Sequence, residues 1–361
     1  MIKFAAMKSG YLFLFCFTLF LLAMPSCKPK QKPLEGRYYT GVLFGKPYFI
    51  DAVGDSTDYT PQIDSIIAAF EQNFDGNNPR SVISRYNAYT RRDSVFVFND
   101  STRAFGMVYD LTKDLNYATM QYFDPTINPL KRAWMITRAS GEPEPNLDSI
   151  YDFVGFDGAK MDLNEITDDS YNYVESQLRK TDPRIEADFT NLASALALDH
   201  IGDLLETRGI LQYRIKYGND VLTYGAAIDS LNIVPIGISD DSADQYIRLV
   251  NMAFSAKRAQ DKTLMIDPTY GYPVENEMAF VAVAAPTMAE AYVFSEAFMS
   301  MGLEKASEYY SRNVESKIQS FMFYADEKIN NTNPEEKSLH SASTEGFDRL
   351  MVHSDSPAVS E

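Results

Sequence analysis

The sequence predicts an α+β fold, and three stretches carry that prediction. Residues 211–225, LQYRIKYGNDVLTYG, read as two strands around Gly218-Asn219-Asp220, a hairpin turn signal. Ile63, Ile66, Ile67, Phe70 and Phe74 recur at helical spacing and mark one apolar face of a helix that Thr60-Pro61 starts. Phe280 to Ala285 is an apolar run of strand length, read as a buried strand. It leads into Thr287 and Glu290, a T-x-x-E capping box ahead of a helix running to about Met301, with Gly302 placed to end it.

Composition bounds the function. The 361 residues suffice for one large or two ordinary domains, and 45% hydrophobic with 23% charged residues is ordinary for a globular chain. A net charge of −17 argues against nucleic-acid binding, which needs a basic face. Lys3 and Lys8 precede an apolar run, Tyr11 to Met24, and then Pro25-Ser26-Cys27. That order describes a secretory signal, and a Cys after the small residue predicts a lipoprotein with Cys27 as its lipidated N-terminus. The run is about 14 residues, short of the roughly 20 that a membrane span needs. Residues 1–27 are therefore expected to be the signal, 28–36 a basic tether opening KPKQK, 37–350 the folded domain and 351–361 a disordered tail. With Cys16 inside the signal and Cys27 lipidated, no intrachain disulfide, C-x-x-C metal site or thiol catalysis is expected.

In chain order, residues 41–51 alternate well enough for an edge strand. The amphipathic helix follows, then a second helix over about 101–116. Residues 146–154 read as a short helix and 157–169 as an acidic loop. A hairpin is expected between 171–178 and 184–188, turning at Thr181-Asp182-Pro183. A helix to about Thr207 buries Leu192, Leu198, Ile201, Leu204 and Leu205, with His200 as a surface or satisfied histidine. The hairpin at Gly218, the strand at 280–285 and its helix come next, then a helix after Gly302 and a strand over 317–324. From about Asn330 the chain is polar and expected to be poorly ordered.

The motifs have a family likeness. Asp267-Pro268-Thr269-Tyr270-Gly271-Tyr272-Pro273, then Ala285-Pro286 and Ala291, resemble the C-terminal signature of the bacterial FAD:protein FMN transferases, the ApbE-type lipoproteins. Residues 78–87, NPRSVISRYN, resemble that family's P-D-S-E-I-S-R-F-N. FDPTINPLKRAW, Phe123 to Trp134, is close to its F-D-P-T-V-G-P-L-V-x-x-W. Residues 188–199, DFTNLASALALD, resemble D-L-G-G-I-A-K-G-Y-A-V-D, and AFSAK at 253–257 corresponds to A-T-S-G-D. The likeness implies one ApbE-like, T-fold-related domain of antiparallel sheets with packed helices. It also implies an envelope lipoprotein on the periplasmic face that moves FMN from FAD to a Ser or Thr of a flavoprotein acceptor, releasing AMP.

Carried over position by position, the resemblance implies flavin-nucleotide contacts at Phe44, Asn77, Phe123, Asp124, Pro125, Asp188, Ser194, Ile266 and Asp267. Its magnesium positions fall on Asn191, Tyr292 and Glu296. Here the chain departs from the family, whose helix supplies an Asp and a Thr. A neutral phenol is a poor ligand for a hard cation. Either Glu296 restores one carboxylate, or it is a solvated helix residue and Glu290 only the capping-box partner. Leu264 and Tyr270 likewise replace the His and Thr around D-P-x-T-G. No residue is singled out as catalytic, and no P-loop, G-x-S-x-G, H-E-x-x-H or G-x-G-x-x-G offers a rival chemistry. Two readings stand: an FMN transferase with a rearranged metal site, or a relative that binds a flavin nucleotide or other ligand without transfer.

Overall fold

The computed structural model describes residues 35–54, 56–141, 144–225, 233–237, 245–328 and 338–352. The signal, Cys27 and most of the tether lie outside the described residues. Among those described, no helix is long and apolar enough to cross a membrane.

The central element is β11, Met278–Ala285, buried at all eight positions. Its alternation divides the interior. Val281, Val283 and Ala285 point into the main core, whereas Phe280, Ala282 and Ala284 point into a second core on the other face. A strand covered on both sides reads as the continuous apolar run seen in the sequence. Around it lies an eight-stranded antiparallel sheet. Its order is β1 (Glu35–Leu43), β2 (Lys46–Gly54), β6 (Gln212–Tyr217), β7 (Asp220–Tyr224), β10 (Ala253–Arg258), β11, β12 (Gln319–Ala325) and β13 (Leu339–Ser343). A three-stranded sheet of β14 (Met351–Val352), β9 (Gln245–Arg248) and β8 (Ile233–Ile236) carries Val234, Ile236 and Ile247 of the second core.

Helices cover the other face. α1 (Thr60–Phe74) buries Ile63, Ile67, Phe70 and Phe74, the predicted apolar stripe. α2 (Val82–Asn87) is capped by the Ser81 side chain, and α3 (Ala104–Ala118) packs beside α1. α4 (Asn128–Ser140) and α5 (Leu147–Tyr151) follow, then α6 (Thr190–Thr207). His200 on α6 lies against Phe70 with ring centroids 5.6 Å apart. The Thr287 side chain accepts from the Glu290 backbone N–H to cap α7 (Met288–Arg312), as the capping box predicts. Gly302, at φ 76°, breaks α7 into two segments, and Glu277 Oε1 accepts from the Leu303 N–H at 2.7 Å to restart it. The chain ends in α8 (Glu345–Asp348) and β14.

Four expectations are corrected. Residues 41–51 are not one strand: the chain turns at Phe44-Gly45, both at positive φ, so β1 and β2 form a hairpin. β1 starts at Glu35, inside the expected tether. The 171–188 hairpin does not form. β5 (Tyr173–Lys180) pairs instead with β4 (Met161–Thr167), drawn from the expected acidic loop, and with β3 (Ser94–Phe98). Asp168 closes that turn by accepting from the Ser170 and Asn172 backbone N–H groups. Residues 184–188 have no strand partner because the Asn87 amide takes it: it donates to Ala187 O and accepts from Ala187 N, each at 2.9 Å. Finally, the polar C-terminal stretch is structured over 338–352, where Phe347 fills the second core.

Candidate active site

Three segments distant in sequence meet at the start of α6. The Asp124 loop comes first. Its carboxylate Oδ1 accepts from the Thr126 N–H at 2.7 Å and the Thr126 hydroxyl at 2.6 Å, and Oδ2 accepts from the Phe156 N–H at 3.1 Å. Burial pushes this carboxyl up from its ordinary range against those hydrogen bonds. The Asp188 N–H donates to Pro125 O at 2.8 Å, and the Asn128 amide donates to Asp188 Oδ2 at 3.3 Å, tying the second segment to the first. The third is the Asp267 turn, where Asp267 Oδ1 accepts from the Thr269 N–H at 2.8 Å. The only tryptophan fastens it, since Trp134 Nε1–H donates to Gly271 O at 2.7 Å. Gly271, at φ 72°, is required there, because a Cβ would stand 2.7 Å from the Tyr151 hydroxyl.

Between these segments and α7 lies a first cleft of about 620 Å³, its open mouth included. Phe123, Asp124, Pro125, Asp188, Asn191, Ile266 and Glu296 line it, together with Lys131 and Ser300. The buried Ser300 hydroxyl has no hydrogen-bond partner among the described residues. A second cleft of about 920 Å³ on the same terms shares Asn191 and is lined by Ser194, Tyr292, Lys46, Lys257 and Asp220.

Seven of the predicted positions thus meet in the first cleft, and Ser194 and Tyr292 in the second. Ser194 is buried, its hydroxyl donating to Thr190 O at 2.7 Å. Asp267 stands beside the first cleft, near the Tyr122 hydroxyl at 3.5 Å, to which Lys305 donates. Phe44 and Asn77 line neither cleft. The Phe44 ring packs in the main core while its N–H donates to Glu71 Oε1 at 2.8 Å, and Asn77 is exposed in the turn that Asp75 closes. Tyr270 is 60% exposed and lines neither cleft.

The magnesium positions do not make a cation site. The Tyr292 phenol stands close to the Glu296 carboxylate, one turn along α7. Burial first, then the charges of Glu296 and Asp220, hold the phenol well above its ordinary range, so it stays neutral. Lys257 Nζ lies 3.9 Å from the Tyr292 ring centroid, a positive charge where a hard cation would have to enter. Asn191 is exposed, leaving Glu296 as the single carboxylate of the three. Among the described residues, no group of three or more His, Cys, Asp or Glu is placed to hold a metal. These residues do not fit magnesium.

Sequence reasoning missed Lys257, Lys46 and Ser300. Lys257 had one signal: it stands at the Asp of the A-T-S-G-D motif. Ser300 had none, because only its helical phase with Glu296 brings it to the cleft.

Comparison with known proteins gives the same family throughout. The model of the ApbE family matches residues 44–319. An FAD:protein FMN transferase of Haemophilus influenzae is 22% identical over 316 residues, covering 81% of this chain and 87% of the relative. One from Vibrio cholerae is 25% identical over 307 residues, covering 79% and 86%. The apo crystal structure of the Pseudomonas stutzeri flavinyl transferase ApbE superimposes with a TM-score of 0.68 at 21% identity, covering 88% of this chain and 97% of that one.

Proposed function

We propose, from the premise that this chain belongs to the ApbE family, that it binds FAD in the first cleft and transfers FMN to a protein hydroxyl, releasing AMP. The supporting observation is the convergence of the Asp124 loop, the Asp188 segment and α7 on one cleft from positions far apart in the chain. In the transfer, the Ser or Thr oxygen of the acceptor bonds to the FMN phosphorus. The bond from that phosphorus to the bridging oxygen breaks, and AMP leaves with the oxygen. The hydroxyl proton needs a base, and Glu296 is the α7 carboxylate in the cleft. Lys131 lines the same cleft and offers charge to the phosphates.

One observation favours a second reading, a flavin-nucleotide-binding relative without transfer. The Tyr292 phenol stands beside the Glu296 carboxylate and competes with an acceptor hydroxyl for it. The test is to incubate the protein with FAD and a D-x-x-T/S-G-A-T/S acceptor peptide. AMP release with flavinylated peptide supports transfer; FAD binding without AMP supports the second reading.

The setting is also a proposal. The Cys27 motif supports a lipid-anchored protein on the periplasmic side of a bacterial envelope, with an envelope flavoprotein as acceptor. Metabolic labelling with palmitate should mark the wild type, and Cys27→Ala should abolish the label.

A further inference from the structure

Resting on the reading that the clefts take a flavin nucleotide, we infer that Lys257 and Lys46 neutralise its diphosphate in place of a divalent cation. Both lysines line the second cleft, and neither forms an ion pair among the described residues. Lys257 rises from β10 and lays its ammonium over the Tyr292 ring; Lys46 enters from the β1–β2 turn, with Nζ 5.9 Å from the Tyr217 ring centroid. An ammonium that faces a cleft with only the buried Asp220 carboxyl nearby is a ready phosphate ligand, acting as a point charge.

The carboxyl that could have claimed them is accounted for. Burial pushes Asp220 up from its ordinary range, opposed by Lys257, a hydrogen bond from Ser255 and Lys46. Its charge is drawn toward Ser255 as well as toward the lysines. Tyr292 completes the arrangement. One face of its ring receives the Lys257 ammonium, with Glu296 close by on the same helix. A magnesium ion brought to the same place would meet that ammonium at close range, so the two ways of neutralising a diphosphate exclude each other. Asn191, shared by both clefts, is the point across which a nucleotide seated in the first would reach the lysines.

The test is FAD binding by the full-length protein in detergent, followed by fluorescence anisotropy in EDTA and in millimolar magnesium. The wild type should bind with the same affinity, within about twofold, in both. Lys257→Met should weaken binding at least tenfold and flatten its salt dependence, whereas Lys257→Arg should keep most of the affinity. Binding that EDTA abolishes and magnesium restores overturns the inference and leaves the flavin site standing. Full-strength binding by a folded Lys257→Met variant overturns it as well. No FAD binding in either buffer overturns the flavin reading itself.

Discussion

The loop wall of the first cleft and the α7 wall that runs on into the second differ in how far they keep the family pattern. On the loop wall, Asp124 and Asp267 keep the family pattern, and each commits its carboxylate to backbone N–H groups of the loops. On the α7 wall, Tyr292 and Glu296 depart from the pattern, and their main partners are each other and Lys257. The loop residues persist because the fold needs them whatever the ligand. The helix residues face the clefts, and the helix stands without them: its cap is Thr287, and Asp199 accepts from the Met288 and Ala289 N–H groups. Agreement with a family motif is therefore evidence of fold on the first wall, while function is decided on the second.

The comparison breaks most sharply at Asp124. Asp124→Ala leaves the Thr126 and Phe156 N–H groups without their acceptor and should cost about 3 kcal/mol, read by urea denaturation. A stable variant would mean that this wall is not structural. Glu296→Gln is its counterpart. If the account holds, AMP release falls about 100-fold while the urea midpoint stays put. Trp134→Phe removes the hydrogen bond to Gly271 and should cost about 1 kcal/mol, with FAD affinity following only as far as the turn loosens. A pH slope is expected at Asp199, whose carboxyl burial raises to about 7 against its two N–H donors. The folded state then holds a proton that the unfolded chain has released, so stability should fall as pH rises from about 4 to 7. Asp199→Asn should flatten that slope in thermal melts recorded across the window.

Much of this was legible in the sequence, for physical reasons that differ by element. β11 was readable because both of its faces are covered, and the α7 start because a capping box is a local signal. β4 was missed because its acidic residues look like a loop until Met161 and Leu163 are seen to face the core side, and the decisive Asn87 bond to Ala187 joins residues far apart in sequence. At the site, motif matching marked the segments that meet. Phe44 shows its limit, because its ring turns into the core at a positive φ that no pattern announces. Lys257 shows the other limit. A cation over an aromatic ring requires β10 and α7 to be adjacent, and only the fold makes them so.

The most direct test of the two-wall account is a crystal structure of the protein with FAD. The account predicts a flavin nucleotide in the first cleft, against the Phe123–Pro125 loop and Glu296, with its diphosphate turned across Asn191 toward Lys257. A nucleotide bound elsewhere, or a metal ion coordinated between Asn191 and Glu296, would contradict it.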